Sequence, residues 1–403
     1  MGLTRRAVLG AGFAAAVGTH GTVAAPWGRE CRPTVPGDVD ATVGFVGDVM
    51  LGRGVNERWR RRSPGGVWDG LRERLDGLDG LVCNLECSLS DRGDRRPGGG
   101  YFFRADPGWA IPALSVANTS FASLANNHQL DFGPVALRDT LASLEREGIA
   151  HAGAGFDRAA AFAPAVTTIG DLRAGFVALT DRAPTDAAEA AERASDTSGE
   201  TAGTSGGTAG TSGGTAGTSG GTAGGSPGTA YVAMDPRNAR TRRLVGRALG
   251  ELARRDPDLV VASLHWGPNW EERPTRTRRL FARWLIDRGV DVVHGHSAHV
   301  LQGVETYCGR PIVYDAGDFV DDYLDKPSLP NKYGALFELA IADGRFEGVR
   351  AVPTRIESET VRPARGADAA LVRERLRSLS TELGTTVERE PGGRGVWIPL
   401  ADG

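Results

Sequence analysis

The sequence predicts an α/β fold, because short apolar strands alternate along the chain with amphipathic helical segments. The chain has 403 residues, of which 40% are hydrophobic and 24% charged, a mixture typical of a globular protein. The predicted strands contain few alternating polar positions, which is typical of strands buried on both faces of a sheet. They are Thr42–Val46, Gly80–Cys83, Ser120–Leu124, Ala174–Leu179, Leu259–Leu264, Val290–Val293 and Pro311–Tyr314.

Helical segments lie between these strands. Pro134–Glu147 starts with proline and is followed by glycine, and both residues are typical of helix boundaries at those positions. Thr275–Arg288 places Leu280, Trp284 and Leu285 on one predicted face, and it also ends before a glycine. This alternation of strand and helix is the main reason to expect a layered α/β domain.

The first 30 residues are predicted to be an export leader rather than part of the fold. Arg5 and Arg6 precede an Ala/Gly-rich apolar run that is shorter than the ~20 residues needed to span a bilayer. Val23–Ala25 then supplies a small-residue cleavage site. The pattern resembles a twin-arginine signal, so we expect an extracellular or cell-surface protein, membrane-anchored if the signal stays uncleaved. An amphipathic N-terminal helix is the alternative interpretation.

Residues 182–229 interrupt the composition of the domain. The heptad TAGTSGG occurs three times in tandem from Thr201 to Gly221, and nothing around it can build a core, so we predict a disordered insertion. Candidate site residues lie on both sides, which favours a loop within one domain at 41–360 over an interdomain linker. Residues 361–403 are predicted to form a C-terminal extension, with a helix over Ala367–Leu383 and a closing strand at 395–398.

The net charge of −3 gives no electrostatic argument for a nucleic-acid partner. Export would permit disulfides among the four cysteines, which are Cys31, Cys83, Cys87 and Cys308. Cys83 and Cys87 would lie ~13 Å apart along an extended strand, which is beyond disulfide reach. The other pairings stay open.

A polar side chain follows six of the predicted strands, at the point where each strand ends. Because ligands bind at the carboxyl ends of strands in α/β sheets, these groups converge on one rim if the strands share a sheet. Oxygen and imidazole donors without a thiolate suit zinc, manganese, iron or cobalt better than copper(I) or an iron–sulfur cluster. The strand-end residues are Asp48, Glu86, the run Asn126–His128, His265, the cluster His294–His299, Asp315 and Asp318.

Each of these residues taken alone has a structural interpretation. Asp48 can close a turn, Glu86 can be a solvated loop carboxylate, and asparagines suit turn chemistry. The cluster from His294 to His299 is harder to explain in this way, because Gly295 would permit an unusual backbone and let two histidines reach one site. The shared strand-end position therefore favours a metal site.

These residues lie in six segments: GDVMLGR (47–53), NLECSLS (84–90), LANNHQLDFG (124–133), HWGPNW (265–270), GHSAHVLQGVE (295–305) and YDAGDFVDD (314–322). In this order the segments resemble the CapA family of capsule and poly-γ-glutamate synthesis proteins, within the calcineurin-like metallophosphoesterase superfamily. The resemblance covers residues 41–350, interrupted only by the insertion. It implies a four-layer αββα sandwich of the metallophosphatase type, with one or two divalent ions, Mn, Zn or Fe, at the strand ends.

The resemblance also implies a ligand set for these ions. Asp48 is expected on a first metal ion, Asn127 on a second, and Glu86 at the place of a bridging carboxylate. The three expected histidine ligands are His265, His296 and His299.

The sequence departs from the superfamily pattern at two positions. Met50 stands where the superfamily has a histidine, so the first ion loses an imidazole and the site holds either one ion or two with water in that place. Asp318 replaces the asparagine of the usual GNF segment and adds a negative charge. His294 precedes the matched segment, and we expect it only to pack against or support the site.

His128 and Arg53 are expected to face the substrate. The resemblance implies that the histidine acts as a general acid or transition-state stabiliser, and the planar fork of the arginine suits an anionic oxygen. Arg53 as an ordinary surface arginine is the alternative. The implied function is metal-dependent hydrolysis of an anionic polymer or phosphoester in capsule biosynthesis. The alternatives are a non-catalytic accessory or scaffold of membrane polymer-synthase components, and a general exported metallophosphoesterase.

Overall fold

The computed structural model describes residues 35, 37–97, 100–182, 226–326, 328–390 and 393–400. The predicted leader at 1–30, Cys31 and most of the predicted insertion lie outside the described residues. No helix in the described part of the chain combines the length and the apolar character that crossing a membrane requires.

Each of the seven predicted strands overlaps an observed strand, and most of the observed strands are longer. In chain order the strands are β1 (Ala41–Val49), β2 (Gly80–Leu85), β3 (Ser88–Leu89), β4 (Arg104–Ala105), β5 (Thr119–Ser123), β6 (Ala150–Ala152), β7 (Ala154–Gly155), β8 (Ala165–Ile169), β9 (Leu172–Thr180), β10 (Gly228–Thr229), β11 (Leu259–His265), β12 (Val292–His296), β13 (Val304–Tyr307), β14 (Arg310–Val313), β15 (Asp318–Val320), β16 (Tyr333–Ala342), β17 (Arg345–Ile356), β18 (Val361–Pro363), β19 (Glu388–Arg389) and β20 (Val396–Pro399).

The strands that carry the site residues are divided between two main sheets rather than sharing one. Within the described residues, the first sheet has ten strands in the order β19-β20-β17-β16-β1-β2-β5-β6, with β15 paired to β1 and β18 to β17. The second has six strands in the order β13-β14-β12-β11-β9-β8. The site residues therefore reach a common place from two sheets that face each other, not along one rim.

Most of the helices cover the outer faces of the two sheets, whereas the last helix packs against the core between them. In chain order the helices are α1 (Arg53–Trp59), α2 (Arg72–Asp76), α3 (Pro107–Val116), α4 (Gly133–Glu147), α5 (Arg158–Ala161), α6 (Ala239–Ala253), α7 (Arg276–Ile286) and α8 (Gly366–Glu382), with a 3-10 helix at Pro64–Trp68. The helix boundaries follow their capping residues, since α4 has proline at its first turn and ends at Gly148 in the left-handed conformation.

Three apolar clusters define four layers. Helices α1–α4 pack on the outer face of the first sheet, where Trp109 and Leu137 join Leu81 in one core. Helices α6 and α7 pack on the outer face of the second sheet, where Phe281 joins Val260. The two sheets pack on each other through a third core. The described residues therefore form the four-layer αββα arrangement that the family resemblance implies.

The buried face of α7 differs from the predicted one. Leu280 is 43% exposed, whereas Phe281, Leu285 and Ile286 are buried among the α6 and α7 core residues. The predicted face was wrong for Leu280 because residues 281, 282, 285 and 286, not 280 and 284, form the i, i+4 stripe that meets the sheet.

The chain on either side of residues 183–225 returns to the same sheet. Strand β9 precedes this range, β11 follows it, and the two strands pair in parallel. At the end of the predicted insertion, β10 pairs with β7. In the predicted C-terminal extension, β18 and β20 pair with β17, so both belong to the first sheet.

Among the described cysteines, Cys83 and Cys87 are buried free thiols. Burial raises the pKa of the thiols of Cys83 and Cys87 to about 12. Because the thiolate is the reactive form, we expect neither thiol to react with a maleimide in the folded protein at pH 7, and both to react after unfolding. Mass spectrometry of peptides labelled with and without denaturant tests this. Native labelling at either position would contradict it.

Candidate metal centre

Strand pairing places the polar site residues of the first sheet side by side. In the parallel pair β1–β2, Asp48 lies opposite Asn84, and in the parallel pair β1–β15 it lies opposite Asp318. In the second sheet, His265 of β11 lies opposite His296 of β12. Because the sheets face each other, these register partners meet where their strands end.

The first donor group consists of Asp48, His265 and His296, whose ligand atoms all lie within 4.8 Å of one another. The Nδ1 atoms of the two histidines are 3.1 Å apart. Asp48 Oδ1 is 3.5 Å from His296 Nδ1 and 4.0 Å from His265 Nδ1. Three buried donor atoms thus converge on one point.

The second donor group consists of Asp48, His299 and Asp318, again within 4.8 Å. His299 Nδ1 lies 2.8 Å from Asp318 Oδ1 and 3.2 Å from Asp48 Oδ2. Asp48 therefore belongs to both groups and turns a different oxygen toward each one. Asp48 could therefore contribute one oxygen to each of two cations.

The donor chemistry fits a divalent cation. All members of both groups are buried, and within the described residues Asp318 Oδ2 has no hydrogen-bond partner. A buried carboxylate oxygen without a partner is costly, and a cation would satisfy it. Carboxylate and imidazole donors without thiolates are compatible with Mn, Zn or Fe.

The electrostatics of the cluster follow from its burial. Burial alone would raise the pKa of Asp48, but the hydrogen bond from His299 and the nearby imidazoles hold it below its usual value. Burial lowers the pKa of His265 to about 3 and that of His296 well below its usual value. Both histidines are therefore neutral at physiological pH, which is the form that binds metals.

Glu86 lies beside the first group but outside both. Its Oε1 is 3.8 Å from His265 Nε2, and its Oε2 accepts a hydrogen bond of 3.2 Å from the hydroxyl of Tyr323. Burial, followed by the charge of Asp48, raises the pKa of Glu86 well above its usual value. In this geometry the carboxylate shared by the two groups is Asp48 rather than Glu86.

Asn127 also lies at the edge of the first group, with its Oδ1 3.1 Å from His265 Nε2. Asn84, which was not among the predicted site residues, contacts two members of the first group. Its amide donates to Asp48 Oδ1 at 2.6 Å and lies 3.4 Å from His265 Nδ1. The position of Asn84 at the end of β2, in register with Asp48, is the signal that could have identified it.

Met50 has a thioether side chain and supplies no imidazole to the donor groups. Its side chain is buried in the core under the first sheet, and its sulfur lies 3.2 Å from the backbone nitrogen of Gly52. Asp318, the other departure from the superfamily pattern, lies within the second donor group. Met50 therefore supplies no imidazole to either donor group, while Asp318 adds a carboxylate to the second.

The backbone around the histidine cluster differs from the expected one. The left-handed residues are Ser297 (φ 105°) and His299 (φ 58°), not Gly295. Gly295 is required for a different reason, because a Cβ atom there would lie 2.1 Å from the carbonyl oxygen of Tyr314 on the neighbouring strand. The carboxylate of Asp315 fixes the backbone of this turn, because it accepts a 2.6 Å hydrogen bond from the backbone nitrogen of Ala298.

His128 lies next to the cluster and is held by Asp131. Its Nδ1 is 2.7 Å from Asp131 Oδ2, and its ring stacks on Phe103 with centroids 3.9 Å apart. Asp131 also accepts hydrogen bonds from Arg96 and from the backbone of Phe103, so it acts as an acceptor toward the histidine. Burial lowers the pKa of His128 despite this carboxylate.

Arg53 lies at the edge of the site rather than on an open surface. Its Nε donates to Asp322 at 3.0 Å, and its guanidinium carbon lies 5.2 Å from the ring centroid of Tyr101 and 5.9 Å from that of Tyr323. Tyr323 in turn contacts the His299 ring. Tyr323 thus contacts both Arg53 and His299, and it links the arginine to the second donor group.

Metal binding is expected to strengthen as pH rises. Burial alone would lower the pKa of His299, but the carboxylates of Asp318 and Asp48 raise it well above its usual value. The metal-free His299 therefore carries a proton at neutral pH, and a cation must displace it. Affinity should then increase by about tenfold per pH unit for each displaced proton, up to that pKa.

Isothermal titration calorimetry at pH 6, 7 and 8, in two buffers of different ionisation enthalpy, measures both the affinity and the protons released. His151→Gln, which changes a histidine of β6 away from the donor groups, should retain the wild-type slope. Equal affinity at pH 6 and pH 8 would contradict the expected competition.

Comparisons with known proteins give a consistent result. The model of the family described as bacterial capsule synthesis protein PGA_cap matches residues 42–323. A probable polyglutamine synthesis accessory protein of Mycobacterium tuberculosis is 29% identical, over 90% of this chain and 97% of its own. The capsule biosynthesis protein CapA of Bacillus anthracis is 22% identical, over 86% of this chain and 75% of its own.

Among solved structures, a hypothetical protein of Thermus thermophilus matches 77% of this chain and 98% of its own, with 15% identity and a TM-score of 0.41. The family match covers both donor groups, all six strands of the second sheet and five of the ten strands of the first. The chain belongs to the bacterial capsule synthesis protein family PGA_cap.

Proposed function

We propose that the protein is an exported metal-dependent hydrolase that acts in the biosynthesis of a capsule or poly-γ-glutamate polymer. The observation that carries the proposal is the pair of buried donor groups that share Asp48, together with an oxygen of Asp318 that has no hydrogen-bond partner among the described residues. The names of the relatives, which refer to capsule and polyglutamine synthesis, support the polymer as the substrate class. The substrates would be anionic polymers or phosphoesters.

The residues of the two donor groups would hold one or two ions of Mn, Zn or Fe. When bound, such ions polarise the scissile group and bring the pKa of a coordinated water toward neutrality. The protein supplies the ligand geometry through register pairs on two sheets. Except for His299, which lies in the turn after β12, rigid strands rather than loops therefore set the distances between the donors.

His128 would hold or pass a proton at Nε2. Because Asp131 accepts the hydrogen bond at Nδ1, the neutral ring presents an unprotonated Nε2, which accepts a proton. The same carboxylate stabilises the imidazolium that then forms, as in catalytic His–Asp pairs. His128 can therefore return that proton to a leaving group. Arg53, held by aromatic rings, would bind an anionic oxygen of the substrate.

The proposal is tested with purified protein lacking the leader. Elemental analysis gives the number of bound ions, and assays with a phosphodiester and with γ-glutamyl peptides give the activity before and after chelation. We expect at least one ion per chain, and an activity that is lost with chelator and restored by Mn, Zn or Fe. A protein that binds none of these ions and hydrolyses neither substrate would refute the proposal.

An accessory role without turnover is the second candidate. Two observations favour it: Met50 supplies no imidazole to either donor group, and the amide of Asn84 donates a hydrogen bond to Asp48. The name of the Mycobacterium tuberculosis relative also describes an accessory protein. In this role the protein would act as a scaffold for membrane polymer-synthase components.

Complementation of a deletion strain separates the two candidates. If Asp48→Ala and His296→Ala both restore polymer to the wild-type level, the site is not required and the accessory role is correct. If neither restores it while both proteins accumulate normally, the hydrolase is correct. A protein that hydrolyses simple phosphoesters, and whose deletion leaves polymer unchanged, would instead be a general metallophosphoesterase.

Export by the twin-arginine pathway is part of the proposal, and its support is the Arg5–Arg6 pair before an apolar run. Changing both arginines to lysine should retain the protein in the cytoplasm. Fractionation of cells that express each form measures this. Equal amounts of both forms outside the cytoplasm would exclude the pathway.

A further inference from the structure

A line of buried polar groups connects the first sheet to the first donor group. His294 Nε2 lies 2.8 Å from the carbonyl oxygen of Val46. His294 Nδ1 lies 3.1 Å from Ser263 Oγ, which lies 3.0 Å from His296 Nε2. Ser263, His294 and His296 are all fully buried. The opposite ring nitrogen of His296, Nδ1, faces Asp48 and His265.

The direction of each hydrogen bond in this line follows from the first one. A backbone carbonyl only accepts, so His294 must carry its proton on Nε2. A neutral imidazole has one N–H, so His294 Nδ1 accepts the hydroxyl proton of Ser263. With that proton used, Ser263 Oγ must accept from His296 Nε2. The only nitrogen of His296 left with a lone pair is then Nδ1.

We infer that His294 and Ser263 are positioning residues that fix His296 in the Nε2–H tautomer and thereby present Nδ1 to a cation. The role of this arrangement in metal binding rests on the proposed function, whereas the tautomer follows from the hydrogen bonds alone. Partners that fix the tautomer of a histidine ligand are a general feature of metal sites. This gives His294 a definite role, whereas the sequence reasoning expected it only to support or pack.

The fold explains why these three residues meet. Ser263 and His294 lie opposite each other on paired strands β11 and β12. His294 and His296 are two residues apart on one strand, so they project from the same face. That face is turned toward the first sheet, where the ring of Phe45 packs against His294. Since Val46 lies two residues before Asp48 on β1, the line also fixes the distance between the two sheets at the donor group.

The test measures the tautomer directly. Nitrogen-15 NMR of histidine-labelled protein distinguishes a protonated Nε2 from a protonated Nδ1, and it is applied to the metal-free wild type. We expect His296 and His294 to be neutral and protonated on Nε2. A metal-free His296 protonated on Nδ1, or on both nitrogens, would overturn the inference, and this measurement requires neither a variant nor a bound metal.

Variants then test the role of the line in binding. Ser263→Ala should weaken the binding of Mn or Zn by about 10–100-fold and let His296 populate both tautomers. Ser263→Thr, which keeps the hydroxyl, should restore most of the affinity. Ser123→Ala is the matched control, because Ser123 is a fully buried strand serine whose hydroxyl has no partner within the described residues.

Unchanged affinity in Ser263→Ala would refute the positioning role.

The positioning role and the proposed hydrolase function can fail separately. A wild-type protein that binds metal but hydrolyses nothing fails the proposed function while leaving the tautomer and affinity results interpretable. A wild-type protein with the expected tautomer but no metal affinity fails the proposed function and confines the line to a structural role.

Discussion

The Asp48→Asn substitution is expected to empty both donor groups at once. Asp48 Oδ1 faces His296 and its Oδ2 faces His299, so a neutral amide removes a charged donor from each group. The amide has nearly the same shape as the carboxylate, and the fold should therefore be retained. We expect the number of bound ions to fall to zero, and the affinity to fall by more than the ~10–100-fold that loss of a supporting partner typically costs.

Elemental analysis after dialysis measures the number of ions, and circular dichroism checks the fold. His296→Gln and Asp318→Asn each change one group only, so each should leave the other group able to bind. Asp171→Asn changes an exposed aspartate between β8 and β9 and serves as the matched control. If Asp48→Asn retained one ion while His296→Gln retained none, the sharing of Asp48 between the groups would be wrong.

The second large effect is on stability. Phe121 of the first sheet and Phe176 of the second stack with their ring centroids 4.0 Å apart and their planes 7° apart, and both are fully buried. Phe176→Ala removes this ring from the middle of the four layers and leaves a cavity between the sheets. We expect the free energy of unfolding to fall by about 3–5 kcal/mol.

Chemical denaturation followed by tryptophan fluorescence measures this change. Leu324→Ala is the control, because Leu324 is 85% exposed and surface substitutions typically change stability by less than ~0.5 kcal/mol. The double variant with Phe121→Ala should lose less than the sum of the single losses, since the rings contact each other. A loss of under ~1 kcal/mol in Phe176→Ala would contradict the assigned packing.

The sequence predicted the strands well because they are buried on both faces, and a continuous apolar run bounded by polar residues marks such strands without knowledge of their neighbours. From the strand ends it also predicted that Asp48, His265, His296 and His299 would lie close together, but along the rim of one sheet, whereas the structure brings them together from two facing sheets. The missing imidazole at Met50 was visible from the sequence alone.

The residues that the sequence reasoning missed depend on which strands are neighbours. Asn84 becomes important only because β2 pairs with β1 in a register that places it opposite Asp48. Ser263 matters only because β11 pairs with β12. The division of the site strands between two sheets is likewise a property of long-range pairing, which local periodicity does not encode.

The order in which the site residues occur along the chain has a consequence for when the site can form. Ser297 donates to Asp48 across 249 residues of sequence, and Asp318 comes later still. Contacts between such distant residues form slowly, because the chain entropy of closing the loop is lost before the contact is gained. During synthesis, the first donor group cannot be complete until His296 has left the ribosome, and the second cannot be complete until Asp318 has done so. Any cation would then be bound only after strands of both sheets have been synthesised, rather than guiding the first collapse of the nascent chain.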